Sequence, residues 1–102
     1  MRRFDLLASA QGDIVQLIEY AESYGDQAAD AITDALFDCF ERIAAFPHSG
    51  RARPDLADGL RSVPVRVLTV NVFYYVRGQG GDRVCIVRVL RQERDTDAED
   101  FA

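Results

Sequence analysis

The residues best suited to catalysis are few in this sequence and lack the partners that catalysis requires. His48 is the sole histidine, and it stands in Pro47-His48-Ser49, where a predicted helix gives way to a loop. A general base needs a positioned partner and a pKa near the working pH, so this position favours a turn residue over a catalytic one. Ser49 and Ser62 have no base near them in the sequence, which argues against a nucleophilic serine. We therefore predict no catalytic residue.

The two cysteines, Cys39 and Cys85, each lie among apolar residues. Such positions are typical of buried free thiols in a reducing compartment, and we expect these rather than a disulfide. One histidine and two scattered cysteines do not make a metal-binding pattern, so neither a metal nor another cofactor is expected. No apolar run approaches the roughly 18 residues that span a bilayer, and the N-terminus lacks the apolar stretch of a signal peptide. We expect a cytoplasmic protein without membrane contact.

Charge is distributed unevenly along the 102 residues, whose formal net charge is −5. Residues 1–50 carry three arginines and nine acids, residues 51–94 carry nine arginines and four acids, and residues 95–102 carry four acids. The basic central block favours an anionic partner or an acidic peptide. All twelve basic residues are arginines, a bias that a GC-rich genome also produces without functional meaning.

The first half of the chain predicts a short strand followed by a helical hairpin. Phe4–Leu7 fits an opening strand, and Ser9 is placed to cap a helix whose apolar face includes Ile14, Leu17 and Ile18. Gly25 ends this helix and Asp26 can cap the next, which continues until Pro47. The two amphipathic helices should therefore pack as an antiparallel pair.

The second half changes to the two-residue period of strands. A loop at residues 47–59 carries Arg51 and Arg53, and a short strand follows at Leu60–Val65, where Pro64 suggests an edge position. A longer strand at Arg66–Val76 turns through residues 77–82 into a returning strand at Arg83–Leu90. The fold class predicted is α+β, one domain over residues 1–102, with residues 95–102 as a flexible acidic tail.

Both long strands are apolar on both faces, and the helical hairpin can cover only one of them. The other face should then expose a set of apolar side chains: Phe73, Tyr75, Val84, Ile86 and Leu90, or those opposite them. Exposed apolar surface of this extent marks a partner site, which we favour here. Two alternatives are that the loop at 47–59 folds over this face or that a homodimer covers it.

Three motifs of this chain, taken together, resemble the ParE-type toxins of the RelE/ParE superfamily. They are "P-x-x-G-R-x-R" at residues 47–53, "G-L-R-S-x-P-V" at residues 59–65, and "V-L-x-x-x-R-D" at residues 89–95. The order of the predicted elements agrees with that family over residues 4–95. One departure is Arg91-Gln92, where the family often has His-Gly.

The resemblance implies the toxin of a type II toxin–antitoxin pair, a kind of module also associated with plasmid stabilization. It implies a ParD-like antitoxin that wraps the toxin, and DNA gyrase as a target inhibited by direct binding. It does not imply sequence-specific binding of nucleic acid by this chain alone. The exposed apolar face and the basic block of the chain agree with such a partner.

The arginines are the candidate contact residues, because a guanidinium binds carboxylates and phosphates in a bidentate manner. We assign Arg91 and Arg94, after the last strand, to target contact, with Arg51 and Arg53 as the next candidates. Arg88 lies among apolar residues and needs an acid, either from the chain's own helices or from the antitoxin. Arg61 is assigned to the antitoxin surface, and its alternative role is to pair with a helix carboxylate that holds the fold.

Two other functions are compatible with the superfamily. The first is a RelE-like, ribosome-dependent mRNA endoribonuclease, whose catalytic positions align here with residues that lack a useful acid or base: Ser62, Pro64, Asn71, Gln92 and Ala98. The acidic tail would also repel RNA. The second is a non-toxic interaction module, which an assay of growth on induced expression would distinguish.

Overall fold

The computed structural model describes residues 4–81 and 83–101, and its elements follow the predicted order. The helices and strands are β1 (Phe4–Leu6), α1 (Ala8–Glu22), α2 (Asp26–Ala45), β2 (Arg51–Ala52), β3 (Leu60–Val65), β4 (Val70–Arg77) and β5 (Arg83–Arg91). Single 3₁₀ turns lie at Arg66–Leu68, Gln79–Gly81 and Ala98–Phe101. The α+β prediction is confirmed. Asp82, which was placed in the predicted hairpin turn, and Ala102, which ends the predicted tail, lie outside the described residues.

The five strands form one mixed sheet in the order β1-β5-β4-β3-β2. The three predicted strands are its antiparallel centre, while β1 joins β5 in parallel. The two-residue strand β2 was not predicted, and it pairs only with Arg61 and Ser62 of β3. Pro64 therefore lies in the part of β3 that β2 leaves open, as its missing N–H requires.

Both helices begin differently from the prediction. Leu7, rather than Ser9, occupies the cap position of α1, and the Ser9 hydroxyl instead donates a 2.6 Å hydrogen bond to the Val87 carbonyl. Gly25 precedes α2 with a φ of 110°, a conformation that favours glycine, and Asp26 is the first helical residue. The hydroxyl of Ser9 thus ties α1 to β5 instead of capping the helix.

The helices cover one side of the sheet, here called the helix face. Fully buried side chains from α2 meet those of the central strands: Leu36, Phe40, Val70, Val72, Tyr74, Val84 and Ile86. The opposite side, here called the second face, has its own smaller cluster of Leu56, Leu60, Phe73 and Leu90. The fold therefore has two apolar layers on either side of one sheet.

The predicted strand at Arg66–Val76 is interrupted. Residues Arg66–Leu68 form a 3₁₀ turn, and Thr69 follows with a φ of 53°, so β4 starts only at Val70. A β-branched residue in the left-handed region is a position that sequence period alone does not reveal. As a result, Val67 leaves the sheet and is 81% exposed.

Candidate interaction surfaces

The loop that carries the first motif is fixed to the sheet by Tyr74. The Tyr74 hydroxyl donates to the Pro47 carbonyl at 2.8 Å and accepts a hydrogen bond from the Gly50 amide at 3.0 Å. Any Cβ at Gly50 would collide with that hydroxyl oxygen, so only glycine fits there. Burial raises the pKa of Tyr74, which keeps the hydroxyl protonated and able to donate.

Arg61 completes this arrangement from the neighbouring strand. Its Nη1 donates to the carbonyls of Gly50 at 2.8 Å and His48 at 3.3 Å. As in the alternative prediction, Arg61 bonds within its own chain, but its partners are loop carbonyls and not the helix carboxylate that was predicted. His48 contributes its backbone carbonyl here, while its side chain is exposed. These hydrogen bonds give Pro47, His48 and Gly50 of this motif a role in fixing the loop to the sheet.

The thiols are placed differently from one another. Cys39 is buried and Cys85 is half-buried, and both are free. Burial raises the pKa of the Cys39 thiol to about 11, which makes it a poor nucleophile at neutral pH. Within residues 4–81 and 83–101, no group of three or more His, Cys, Asp or Glu residues is arranged to hold a metal ion.

Arg51 and Arg53 have separate surroundings. Arg51 is exposed on β2. Arg53 forms two hydrogen bonds with the Asp55 carboxylate, at 3.1 and 3.2 Å, and its guanidinium lies 5.8 Å from the centre of the Phe73 ring. These hydrogen bonds from Arg53 lower the pKa of Asp55. Arg53 therefore holds its loop against the second face, and only Arg51 of this pair is fully presented to solvent.

Arg88 finds its acid on the chain's own first helix. Its Nε and Nη2 atoms bind the two Asp13 oxygens at 2.8 and 3.0 Å, and the Val89 amide donates to the same carboxylate at 2.9 Å. Asp13 raises the pKa of Arg88, and the two side chains are only 20% and 12% exposed. Of the two partners predicted for Arg88, the structure provides the internal one.

The acidic tail lies against the second face, and its flexibility stays a prediction. Asp100 accepts a 2.6 Å hydrogen bond from Arg94 on its side chain and a 3.1 Å hydrogen bond from Arg88 on its carbonyl. Phe101 packs on Phe73, with ring centres 4.9 Å apart. Asp100 of the tail thus pairs with two arginines to which the sequence alone assigned no such partner.

The predicted antitoxin surface does not exist as one exposed apolar face in this structure. Val84 and Ile86 are fully buried on the helix face, whereas Phe73 and Leu90 are buried on the second face. The cause is a β-bulge, because Phe73 pairs with Arg88 and Tyr74 with Ile86, which leaves Val87 without a partner on β4. The extra residue reverses the side-chain alternation of β5, so the strict two-residue period gave the wrong partition.

The second face is also better covered than predicted. Leu56 and Ala57 of the 47–59 loop cover part of it, as one of the alternatives proposed, and Phe101 covers more. Tyr75 remains half-buried at this face, with the Arg77 guanidinium 4.7 Å from its ring centre. The cover is thin, consisting of one loop and one turn.

Arg91 lies at the end of the sheet nearest the C-terminal end of α1. Its side chain is 47% exposed, its guanidinium lies 4.9 Å from the Tyr20 ring centre, and Glu93 is 3.5 Å away. A hollow of about 310 Å³ lies beside it, lined by Leu17, Tyr20, Ile32, Val67, Leu68, Thr69 and Arg91. Tyr20 and Val67 were missed by sequence reasoning, and the available signal was the exposed pair of Tyr20 on α1 and Tyr24 in the turn that follows it.

The positions that align with the catalytic residues of the nuclease branch lie in strands or turns of this fold, and two of them form hydrogen bonds within it. Ser62 is buried and receives a hydrogen bond from Arg53 at 3.5 Å, while Gln92 donates to the Val70 carbonyl at 3.2 Å. Pro64 and Asn71 are opposite one another in the β3–β4 pair, and Ala98 begins the turn of the tail. Ser62 therefore helps to hold the loop through Arg53, and Gln92 helps to hold the start of β4 through Val70.

The helices of the described chain include none long and apolar enough to cross a membrane. Residues 4–96 match the family described as ParE toxin of type II toxin-antitoxin system, parDE. The chain is 34% identical to Toxin ParE3 of Caulobacter vibrioides over 80 residues, which are 78% of this chain and 75% of that protein.

The fold is similar to a solved structure described as the chromosomal ParDE TA system from P. aeruginosa. The TM-score is 0.73 at 18% sequence identity, with 91% of this chain and 98% of that chain covered, which is a likeness of fold. The family match extends through every strand and helix whose geometry is given above. The chain belongs to the ParE toxin family of type II toxin–antitoxin systems.

Proposed function

We propose that this toxin acts in the cytoplasm by binding and inhibiting DNA gyrase, without catalysis, and that a ParD-like antitoxin neutralises it. The observation that carries the proposal is the match of residues 4–96 to the ParE toxin family. The solved relative of similar fold is described as a ParDE system, which supports a ParD-like partner.

A binding mode of action agrees with the chemistry of the polar side chains. Arg88 pairs with the Asp13 carboxylate. Arg61 donates to loop carbonyls, and Arg53 contacts Asp55 and Ser62. The Cys39 thiol is protonated at neutral pH because burial raises its pKa. Arg51, Arg91 and Arg94 are exposed, although Arg91 and Arg94 pair with acids of this chain, and they are candidates for contacts with another macromolecule.

The antitoxin is proposed to bind the second face after the tail has moved away. Phe73, Leu90 and Tyr75 line this face, and residues 98–101 cover part of it through one ring contact and the hydrogen bonds to Asp100. Release of the tail would free both the Phe73 ring and the Arg94 guanidinium. An acidic, apolar antitoxin segment could then replace the tail at the same positions.

The test combines growth with supercoiling. Induced expression should arrest growth, and co-expression of a ParD-like antitoxin should restore it. Purified toxin should inhibit supercoiling by purified gyrase, and the same antitoxin should reverse the inhibition. Growth arrest without any effect on gyrase would contradict the proposed target, and discrete cuts in message mapped by primer extension in a translating extract would favour the endoribonuclease. Absence of growth arrest would contradict an active toxin.

A further inference from the structure

The 3₁₀ turn Arg66–Leu68 presents a single apolar side chain at the end of the sheet. Val67 is 81% exposed and lies between two hollows of about 310 Å³ each, both of which it lines. One hollow lies against α2 and includes Arg42 and Arg66. The other lies against α1 and includes Tyr20 and Arg91. We call these five residues the Val67 surface.

The turn is held by hydrogen bonds, one within it and two from Gln92, which follows β5. The Thr69 amide donates to the Arg66 carbonyl at 3.1 Å, and the Gln92 amide donates to the Thr69 carbonyl at 2.8 Å. The Gln92 side chain adds a 3.2 Å hydrogen bond to the Val70 carbonyl. Left-handed Thr69 would be costly without such support. A surface that is already fixed loses little conformational entropy on binding, which favours its use in recognition.

The rim of this surface is basic, although the whole chain has a net charge of −5. Within the described residues, Arg42 and Arg66 have no ion pair, and Arg91 has only the 3.5 Å contact with exposed Glu93. Asp38 is the acidic residue that lines the first hollow. Guanidiniums around an exposed aliphatic side chain complement carboxylates around an apolar recess.

We propose that the Val67 surface is where this toxin holds its target, a folded protein that presents an apolar recess rimmed by carboxylates. The inference rests on the proposed function and specifies the toxin's side of that contact. A projecting side chain between two separate hollows suits a concave site on a folded partner. A wrapping segment instead needs a continuous apolar groove, which the arginines interrupt here.

The experiment measures the affinity of purified gyrase and of a ParD-like antitoxin for three variants: Val67→Asp, Arg66→Glu and Arg91→Glu. Each should weaken gyrase binding at least about tenfold, because each removes a contact or places like charges together. Antitoxin binding should change less than about threefold if the two partners use different surfaces. Growth arrest should weaken in parallel with gyrase binding.

Matched controls are Val15→Asp and Arg77→Glu. Val15 is 52% exposed on α1 and lines neither hollow, and Arg77 lies at the opposite end of β4 from the turn. Both should bind gyrase as the wild type does. Circular dichroism should show every variant folded, because Val67, Arg66 and Arg91 are exposed.

The outcomes separate this inference from the proposed function. Wild-type toxin that does not bind gyrase contradicts the target itself, and this inference fails with it. If the wild-type toxin binds gyrase and all three variants bind it equally tightly, the role of the Val67 surface is contradicted while the proposed target stands. Loss of antitoxin binding in place of gyrase binding would assign the surface to the antitoxin and overturn the inference, as would a change only in self-association.

Discussion

The helix face and the second face of the sheet bury apolar side chains to a similar depth but by different means. On the helix face, α1 and α2 pack on the sheet and bury residues such as Leu36, Phe40 and Tyr74 completely. On the second face, Phe73 is equally buried, but its cover is a loop at Leu56 and a 3₁₀ turn at Phe101. The first cover consists of two long helices, whereas the second is a thin layer that we expect to open by itself.

The largest difference between the faces should appear on truncation of one apolar side chain from each. Leu36→Ala should lower the free energy of unfolding by about 3–4 kcal/mol, since it opens a cavity in a fully enclosed site. Phe101→Ala should lower it by no more than about 1 kcal/mol, because the half-buried tail can detach at little cost. Urea unfolding of both variants is the measurement, and equal losses would contradict the two-face distinction.

Replacing Arg88 should lower the free energy of unfolding more than replacing Arg94, although both arginines bind Asp100 of the tail. Arg88→Ala leaves the enclosed Asp13 carboxylate without its guanidinium, and we expect a loss of about 3 kcal/mol. Arg94→Ala removes a pair whose arginine is 47% exposed, so about 1 kcal/mol is expected. The tail should nevertheless become more accessible to limited proteolysis in Arg94→Ala. Equal stability of the two variants would show that the Asp13 pair is not structural.

Alanine substitutions at Gly50 and Gly12 should change the free energy of unfolding in opposite directions, because only Gly50 lies against the Tyr74 hydroxyl. Gly50→Ala should cost about 2 kcal/mol, because a Cβ there collides with the Tyr74 hydroxyl and separates its hydrogen bonds. Gly12→Ala lies within α1, where nothing stands within 4 Å of the new Cβ, and should stabilise by roughly 0.5–1 kcal/mol. Thermal unfolding would detect the opposite signs, and destabilisation by both changes would contradict the explanation.

The smallest predicted effect is alkaline destabilisation through Cys39 of the helix face. Burial raises the pKa of its thiol from 9.0 to about 11, so the folded thiol stays neutral where the unfolded one ionises. Its contribution to stability is complete below about pH 9 and declines as the pH rises towards 11. Urea unfolding should show a decline larger by about 1 kcal/mol in wild type than in Cys39→Ala between about pH 8 and about pH 9.7. Parallel declines would argue against burial of this thiol.

Much of the fold could be predicted because its signals are local. Period and turn residues predicted the stripes of α1 and α2, the loop with its prolines and glycines, and the strand Leu60–Val65. They also predicted a strand at Arg83–Leu90, which the structure extends to Arg91. The resemblance to ParE-type toxins was likewise confirmed. The parallel pairing of β1 with β5 was not predicted, because it joins segments about eighty residues apart.

The details of the candidate site depended on three features without a local signal. The bulge at Val87 reversed the side-chain alternation of β5. The left-handed Thr69 delayed the start of β4 to Val70. Asp100 of the tail formed hydrogen bonds with Arg88 and Arg94. Each results from contacts made only in the folded chain. For this reason Val84 and Ile86 were assigned to a surface although they belong to the core.

Hydrogen exchange of the isolated protein tests most directly whether the second face is covered by a separable layer. We predict that amides of residues 94–101 exchange at least about a hundredfold faster than those of residues 70–76, because the tail opens without unfolding the sheet. Adding the ParD-like antitoxin should then slow exchange in β4 and β5 beyond the level of the free protein. Equal protection of tail and sheet in the free protein would show that the tail belongs to one cooperative core and would contradict the account.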